Sequence, residues 1–391
     1  MNKLNSTEIL SVLEHVYNTN ETLVEKNQLP ISVEIIGEAG IGKSTLIKQF
    51  AEAHNLEFIK LSISQLEELS DLVGFPLKMF EITNSNDTKW ITNEEVEQYR
   101  ELGYTFTGNK RMSYAEPEWI ANKTDKKILL LIDDWTRGQE RFIQATMELI
   151  NEQQYMSWHL PKHTFIVLSA NPDDGNYNTS SIDIAQKTRY ISFEMEWCAE
   201  CWARWATHND IDERCINFIL MNPEIVTKNE NINARIITMF FKSISTIENF
   251  EENLDMIRLL GNASIGEKVT QNFVMFINNK LDRLISAKDM MESKDALDRM
   301  VKLTGDYKSE KYRSDIASVL CSRIIDYVIV QVEKGKRVDD AMINRITDFV
   351  TNDKCFNYDN KLHIVTTIFN SAPNKFGKLM MNPITFEYLT K

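Results

Sequence analysis

Cysteine is rare in this chain, five residues in 391. So few exclude a disulfide-stapled scaffold and fit a reducing compartment. Cys198 and Cys201 form a C-x-x-C, but a structural zinc needs about four ligands. Cys215, Cys321 and Cys355 supply no second close pair. With Trp197, Trp202 and Trp205 around them, both cysteines read as core filling on an aromatic helix. Long apolar runs are missing too. "ILLLI" at 128–132 is stopped by Lys127 and Asp133, far short of the roughly 18 apolar residues of a membrane span. The opening "MNKLNSTEILSVLEH" alternates like an amphipathic helix and has no signal-peptide core, so the expected location is the cytoplasm. Positive charge is in deficit, 44 basic against 57 acidic residues, a net −13. That balance argues against a nucleic-acid coat or a membrane-surface protein. Tandem repeats and low-complexity tracts are absent as well.

Glycine is also sparse, 13 in all, yet three fall within six positions of "IIGEAGIGKSTLIKQF" at 35–50. Gly37-Glu38-Ala39-Gly40-Ile41-Gly42-Lys43-Ser44 matches G-x-x-x-x-G-K-S/T, the phosphate-binding P-loop. Glycines let the backbone turn tightly and aim successive N–H groups at phosphate oxygens. Lys43 is expected on the β- and γ-phosphates and Ser44 on Mg²⁺. A helix from about Thr45, which completes the nucleotide-binding set, would turn its positive end to the anion. The context agrees: "PISVEII" before the loop reads as a strand, and "TLIKQFAEAH" after it has helical spacing. ATP and Mg²⁺ are the expected ligands.

Residues 5–25 read as a helix. Strands are expected at "ISVEII", "LEFIKLSI" (56–63), "KKILLLIDD" (126–134), "HTFIVLSANP" (163–172) and "TRYISFEM" (188–195). Helical patterns such as "QERFIQATMELINEQ" fill most of the gaps. The alternation predicts an α/β P-loop domain with a parallel five-stranded sheet. Beyond Glu196 the patterns are almost all helical, as in "DERCINFILM", "ARIITMFFKSISTI" and "EKVTQNFVMFINNKLDRLI". The expected organisation is an α/β nucleotide-binding domain at 1–195, an α-helical lid at 196–291, and a helical extension at 292–391.

"ILLLIDD" ends in Asp133 and Asp134. An apolar strand ending in acids delivers carboxylates to the carboxyl edge of a parallel sheet, beside the P-loop. One would support Mg²⁺, here Asp133, and the other would orient the attacking water. "VLSANPDDGNY" then brings Asn171 to the same edge.

The succession of P-loop, "LLLIDDWTRG", "LPKHTFIVLSANPDDGNYN", "KTRYISFEM", "WARWA" and "NARIIT" resembles the AAA+ ATPases, in particular their MoxR-like and dynein-related branch. "DLVGFPLKM" (71–79), "AEPEWI" (115–120) and "GNASIGEKVTQNFVMFI" (261–277) add to the likeness, which covers residues 31 to about 290. The resemblance implies Asp134 as the water-orienting acid, Asn171 as sensor 1, Arg189 as an arginine finger reaching a neighbouring subunit, and Arg235 as sensor 2 on the lid. Arg137 falls where the branch has an asparagine-arginine turn. Three positions depart from the pattern: Asp134 stands for glutamate, Thr188 for the aspartate before the finger, and Ala234 for the proline before sensor 2. The implied function is a Mg²⁺-dependent ATPase assembled as a ring, most often of six copies. It would remodel a protein client or a metal-binding adhesion-type partner. Two alternatives stand beside this: a nucleic-acid motor or loader of the replication or restriction type, and a slow or non-hydrolysing assembly scaffold. The stretch "EITNSNDTKWITNEEVEQYRELGYTFTGNKRMSYAEPEW", between the P-loop (Walker A) and "ILLLIDD" (Walker B), and the later hairpin-like "NEQQYMSWHLPKH" (151–163) either grip a polypeptide or pack on the core.

Overall fold

The computed structural model describes residues 3–390 except 86, 124, 174–183, 230 and 279–284. The tail of "NPDDGNYN" beyond 173 and the 279–284 part of the long helical pattern therefore lie outside the described residues. The chain divides into two compact units, Met1–Glu196 and Trp197–Lys391.

The first unit is built on a parallel sheet. Its strands are β1 (Lys3–Leu4), β2 (Ser32–Ile36), β3 (Glu57–Ser62), β7 (Ile128–Asp133), β10 (Thr164–Ala170) and β11 (Tyr190–Met195). The order across the sheet is β1-β11-β2-β10-β7-β3, every neighbouring pair parallel. Five of these are the expected strands; the sixth, β1, corrects the five-strand expectation. Two residues are too short a segment to show periodicity. Pairing is what makes them a strand, through Lys3 and Leu4 against Glu194 and Met195 and a 3.2 Å Lys3–Glu194 ion pair. Immediately after it, helix α1 (Ser6–Glu25) opens on Asn5. That side chain accepts the Thr7 and Glu8 N–H groups, while the Glu8 carboxylate accepts the Asn5 N–H.

Every residue of β7 and β10 is buried, because helices cover both faces of the sheet. One face packs Ile128, Leu130, Ile132, Ile166 and Leu168 against the helix Glu140–Glu152 through Phe142, Ile143 and Leu149. The other face is covered by α1 and by α2 (Lys43–Ala53), where Tyr17, Phe50 and Phe165 meet ring to ring.

The segment between the Walker motifs is more ordered than its composition suggests. It forms an antiparallel sheet of β4 (Pro76–Thr83), β5 (Thr88–Ile91) and β6 (Thr105–Tyr114), with β4 in the centre. Arg111 stacks over Trp90 at 4.5 Å, and Phe80 meets Phe106 edge to face. The "NEQQYMSWHLPKH" stretch holds a short hairpin of β8 (Gln154–Tyr155) and β9 (Trp158–His159). Tyr155 and Trp158 are buried, so this hairpin packs on the core.

Among its described residues the second unit holds helices and turns and no strand. Its apolar side chains gather in two cores. One includes Trp202, Phe218, Phe240 and Phe273, the other Met300, Ile324, Phe349, Ile364 and Phe376. Cys198 and Cys201 are half-buried, which corrects the core-filling expectation. Cys198 instead caps the helix Ala199–His208, its Sγ accepting the Cys201 N–H at 3.3 Å.

One buried charge ties the sheet together. Glu34 in the middle of β2 accepts Trp135 Nε1 at 2.9 Å and Ser192 Oγ at 2.6 Å. Burial pushes its carboxyl up, against the two hydrogen bonds that favour ionisation. The native state thus holds this proton more tightly than the unfolded chain, so the ionised form costs stability above the raised pKa. That cost vanishes as pH falls through the ordinary carboxylate range. Glu34→Gln keeps the acceptor for Trp135 and removes the charge. It should melt higher than wild type at pH 8, with the gap closing toward pH 4; a gap independent of pH would reject the buried-charge account.

Candidate functional site

The site is assembled by register. Ala170 pairs with Ile36, and Leu168 with Ile132, so β2, β10 and β7 end at one edge of the sheet. The groups at and just beyond those strand ends are the glycine loop, Asn171 and the Asp133–Asp134 pair, and they must then converge.

The loop leaves β2 at Gly37, whose N–H is bonded to Ala170 O at 3.1 Å. A Cβ here would lie 2.9 Å from the Met195 carbonyl oxygen and 2.7 Å from Ile41 Cδ1, which explains the first glycine. Gly40 and Gly42 have φ of 79° and 105°, the left-handed region that L side chains avoid. Gly42 is the N-cap of α2 and, being glycine, supplies no side-chain cap to it. A helix N-terminus opened by glycine favours an anion.

Lys43 is buried, and its ammonium is held by Gly37 O at 2.5 Å, Glu38 O at 3.0 Å and Asn171 Oδ1 at 3.1 Å. Ser44 donates to both oxygens of Asp133, at 2.9 and 3.1 Å. The other amide end of Asn171, Nδ2, donates to Asp134 Oδ1 at 3.3 Å. Asn171 therefore bridges the loop lysine to the second acid.

Asp134 has φ 49° and ψ 37°, a left-handed conformation that is uncommon for a non-glycine residue. The twist points the chain into the turn Trp135–Arg137, where buried Trp135 is held by Glu34. Arg137 Nη1 lies 3.8 Å from Asp134 Oδ2.

Of the residues expected from the sequence, Gly37, Lys43, Ser44, Asp133, Asp134 and Asn171 are bonded into one cluster with the Glu38 carbonyl. Ala39, Gly40, Ile41 and Gly42 complete the loop, and Thr45 lies exposed in the first turn of α2. Among the described residues, Arg189 has no bond in this cluster. Arg189 is exposed on the turn before β11, and Arg235 is exposed on the helix Ala234–Ser243 of the second unit.

Two further side chains reach Asp133. Ser169 of β10 donates to its Oδ1, and Lys60 of β3 lies 2.7 Å from its Oδ2. Burial pushes the Asp133 carboxyl up, but the bonds from Lys60, Ser169 and Ser44 outweigh it and hold it below the usual carboxylate range. Glu34 carried one available signal in the sequence, as the single charge of its strand, and Lys60 carried a weaker one, as a charge between the apolar Ile59 and Leu61. Ser169, a small polar residue inside "FIVLSA", carried none.

No family model matches the chain. A protein of Thauera aromatica named "Putative chaperone BssE" is 33% identical over 78 residues, which span 18% of this chain and 27% of that relative. Among solved structures, a variant of RuvB from Thermotoga maritima aligns with 85% of this chain and 89% of its own, at 13% identity and a TM-score of 0.36. The Thermotoga maritima RuvB Holliday junction branch migration motor aligns with 84% and 89%, at 14% identity and a TM-score of 0.34. The α/β P-loop fold is carried by the strand order and the loop geometry of the chain itself.

The glycines separate two physical causes. Gly37→Ala forces its methyl into the Met195 carbonyl and should destabilise by about 1–3 kcal/mol through overpacking. Gly42→Ala meets no atom within 4 Å but keeps a φ of 105°, so its cost should be about 1–2 kcal/mol of backbone strain. Urea unfolding of both variants checks this; no loss in either would reject the loop conformation.

Proposed function

We propose that this protein is a Mg²⁺-dependent AAA+ ATPase of the MoxR-like type that works as an oligomeric ring on a protein client. One observation carries the reading: Asn171 bonds Lys43 with one end of its amide and Asp134 with the other. A single side chain thereby couples the residue that would sense the terminal phosphate to the one that would orient the attacking water. A structural P-loop would have no use for that link.

The residues fit the ligands. A helix N-terminus opened by glycine and two left-handed glycines form an anion cradle, and Lys43 adds a point charge inside it. Ser44 and Asp133 form a hard oxygen pair suited to Mg²⁺. Bound there, magnesium would neutralise charge on the β- and γ-phosphates. Asp134, one methylene shorter than glutamate, would hold the water less closely, so turnover should be slow. In this reading residues 1–195 bind nucleotide, 196–291 form the lid carrying Arg235, and 292–391 are an extension. The net −13 charge favours a protein client over nucleic acid, whose affinity rests on phosphate neutralisation.

Lys43→Ala should lose ATP affinity at least tenfold with an unchanged circular-dichroism spectrum. Asp134→Asn should bind ATP but lose turnover, and Asp134→Glu should turn over faster than wild type. An Asp134→Asn variant hydrolysing at the wild-type rate would put the catalytic acid elsewhere.

Arg189 is exposed and, among the described residues, has no bond into its own site, as suits a group that serves a neighbour's site. Arg189→Ala should bind ATP normally yet lose most hydrolysis, since a finger arginine contributes about 10³–10⁵ in rate in other systems. Wild-type turnover per chain should rise with protein concentration in parallel with sedimentation. Constant turnover from a monomer, with Arg189→Ala fully active, would remove both ring and finger.

A further inference from the structure

Asp133 is the most heavily used carboxylate in the site, and its partners differ in kind. Ser44 and Ser169 are neutral donors and leave its charge uncompensated. Lys60 supplies a full positive charge to Oδ2 at 2.7 Å. The placement comes from register: β3 pairs Lys60 with Leu131 and Ser62 with Asp133. Lys60 and Asp133 therefore share a face, two residues or about 6.6 Å apart along the strands, and the lysine stem spans that distance. Ile59 and Leu61 on either side are buried in the core, whereas the Lys60 side chain is 44% exposed and Asp133 only 13%. The carboxylate is fixed, and the cation can withdraw into water.

We infer that Lys60 is a built-in competitor for the metal. Its ammonium neutralises the carboxylate that would help hold magnesium, so this chain requires more magnesium to hold nucleotide than the same site without the lysine. The inference rests on the P-loop reading and specifies how the metal is controlled there. Two cations beside one carboxylate repel each other. Because Lys60 is half-solvated, its hold on Asp133 is modest, so magnesium displaces it and the effect is a threshold, not a block. Without metal, Lys60 keeps the Asp133 charge from opposing the entry of an anionic nucleotide.

The experiment is a magnesium titration of binding by a fluorescent ATP analogue, at fixed protein and nucleotide, for wild type, Lys60→Met and Lys60→Arg, with Lys43→Ala alongside. Lys60→Met should reach half-saturation at roughly two- to tenfold less magnesium than wild type. Its affinity at saturating magnesium should be unchanged, and its affinity in EDTA should be weaker. Lys60→Arg keeps the charge and should keep the wild-type requirement. Higher salt should shrink the difference, since an exposed cation is screened. Lys60→Met with a wild-type or higher magnesium requirement, and an unchanged thermal melt, would overturn the inference while the P-loop reading stands. Wild type that fails to bind, or Lys43→Ala that binds equally well, would overturn both.

Discussion

Parallel pairing of β10 between β2 and β7 is the constraint on which the site depends. Residues 43, 133 and 171 are far apart in the chain and have no local reason to meet. The pairings of Ala170 with Ile36 and Leu168 with Ile132 bring the three strand ends to one edge. A slip of one residue in β10 would turn Ser169 away from Asp133 and reverse every buried side chain on that strand. Because all seven residues of β10 are buried between two helical layers, such a slip would also disrupt packing on both faces at once. The core thereby specifies the geometry of the polar site above it.

Two carboxylates on this sheet show how environment sets opposite behaviour. Glu34 lies in the middle of β2, with neutral donors, Trp135 and Ser192, as its bonded partners, and burial dominates its ionisation. Asp133 lies at a strand end where a lysine can reach it, and its bonds outweigh burial. The first serves the fold: it anchors Trp135 and so the left-handed turn at Asp134. The second faces the loop and carries its charge at the sheet edge, bonded to Ser44. The difference comes from position along the strand, since only the strand end opens to water and to the neighbouring lysine.

The loop lysine is held by the loop that carries it. Two carbonyls and Asn171 hold its ammonium inside the glycine turn. A loop organised in this way loses little conformational freedom when an anion enters it. The Asn171 amide extends the same order to Asp134, so occupancy of the loop and orientation of the acid are linked through one side chain.

Much of this was legible in local sequence, because glycine spacing, apolar runs and strand-ending acids each report on their own neighbourhood. "GEAGIGKS" specified the loop and "ILLLIDD" the buried strand with its two acids, while the change in apolar periodicity near residue 196 separated α/β from helical texture. The short strand Lys3–Leu4, the antiparallel sheet of residues 76–114, the Glu34–Trp135 bond and the Lys60–Asp133 pair were decided only by the tertiary structure. Each depends on a partner distant in sequence: a two-residue strand exists by pairing, and an isolated charge in an apolar strand acquires meaning only from what its register places opposite it. Local sequence places particular chemical groups at the ends of particular strands. Which of them share a charge follows from strand order and register, and neither is written in any local pattern.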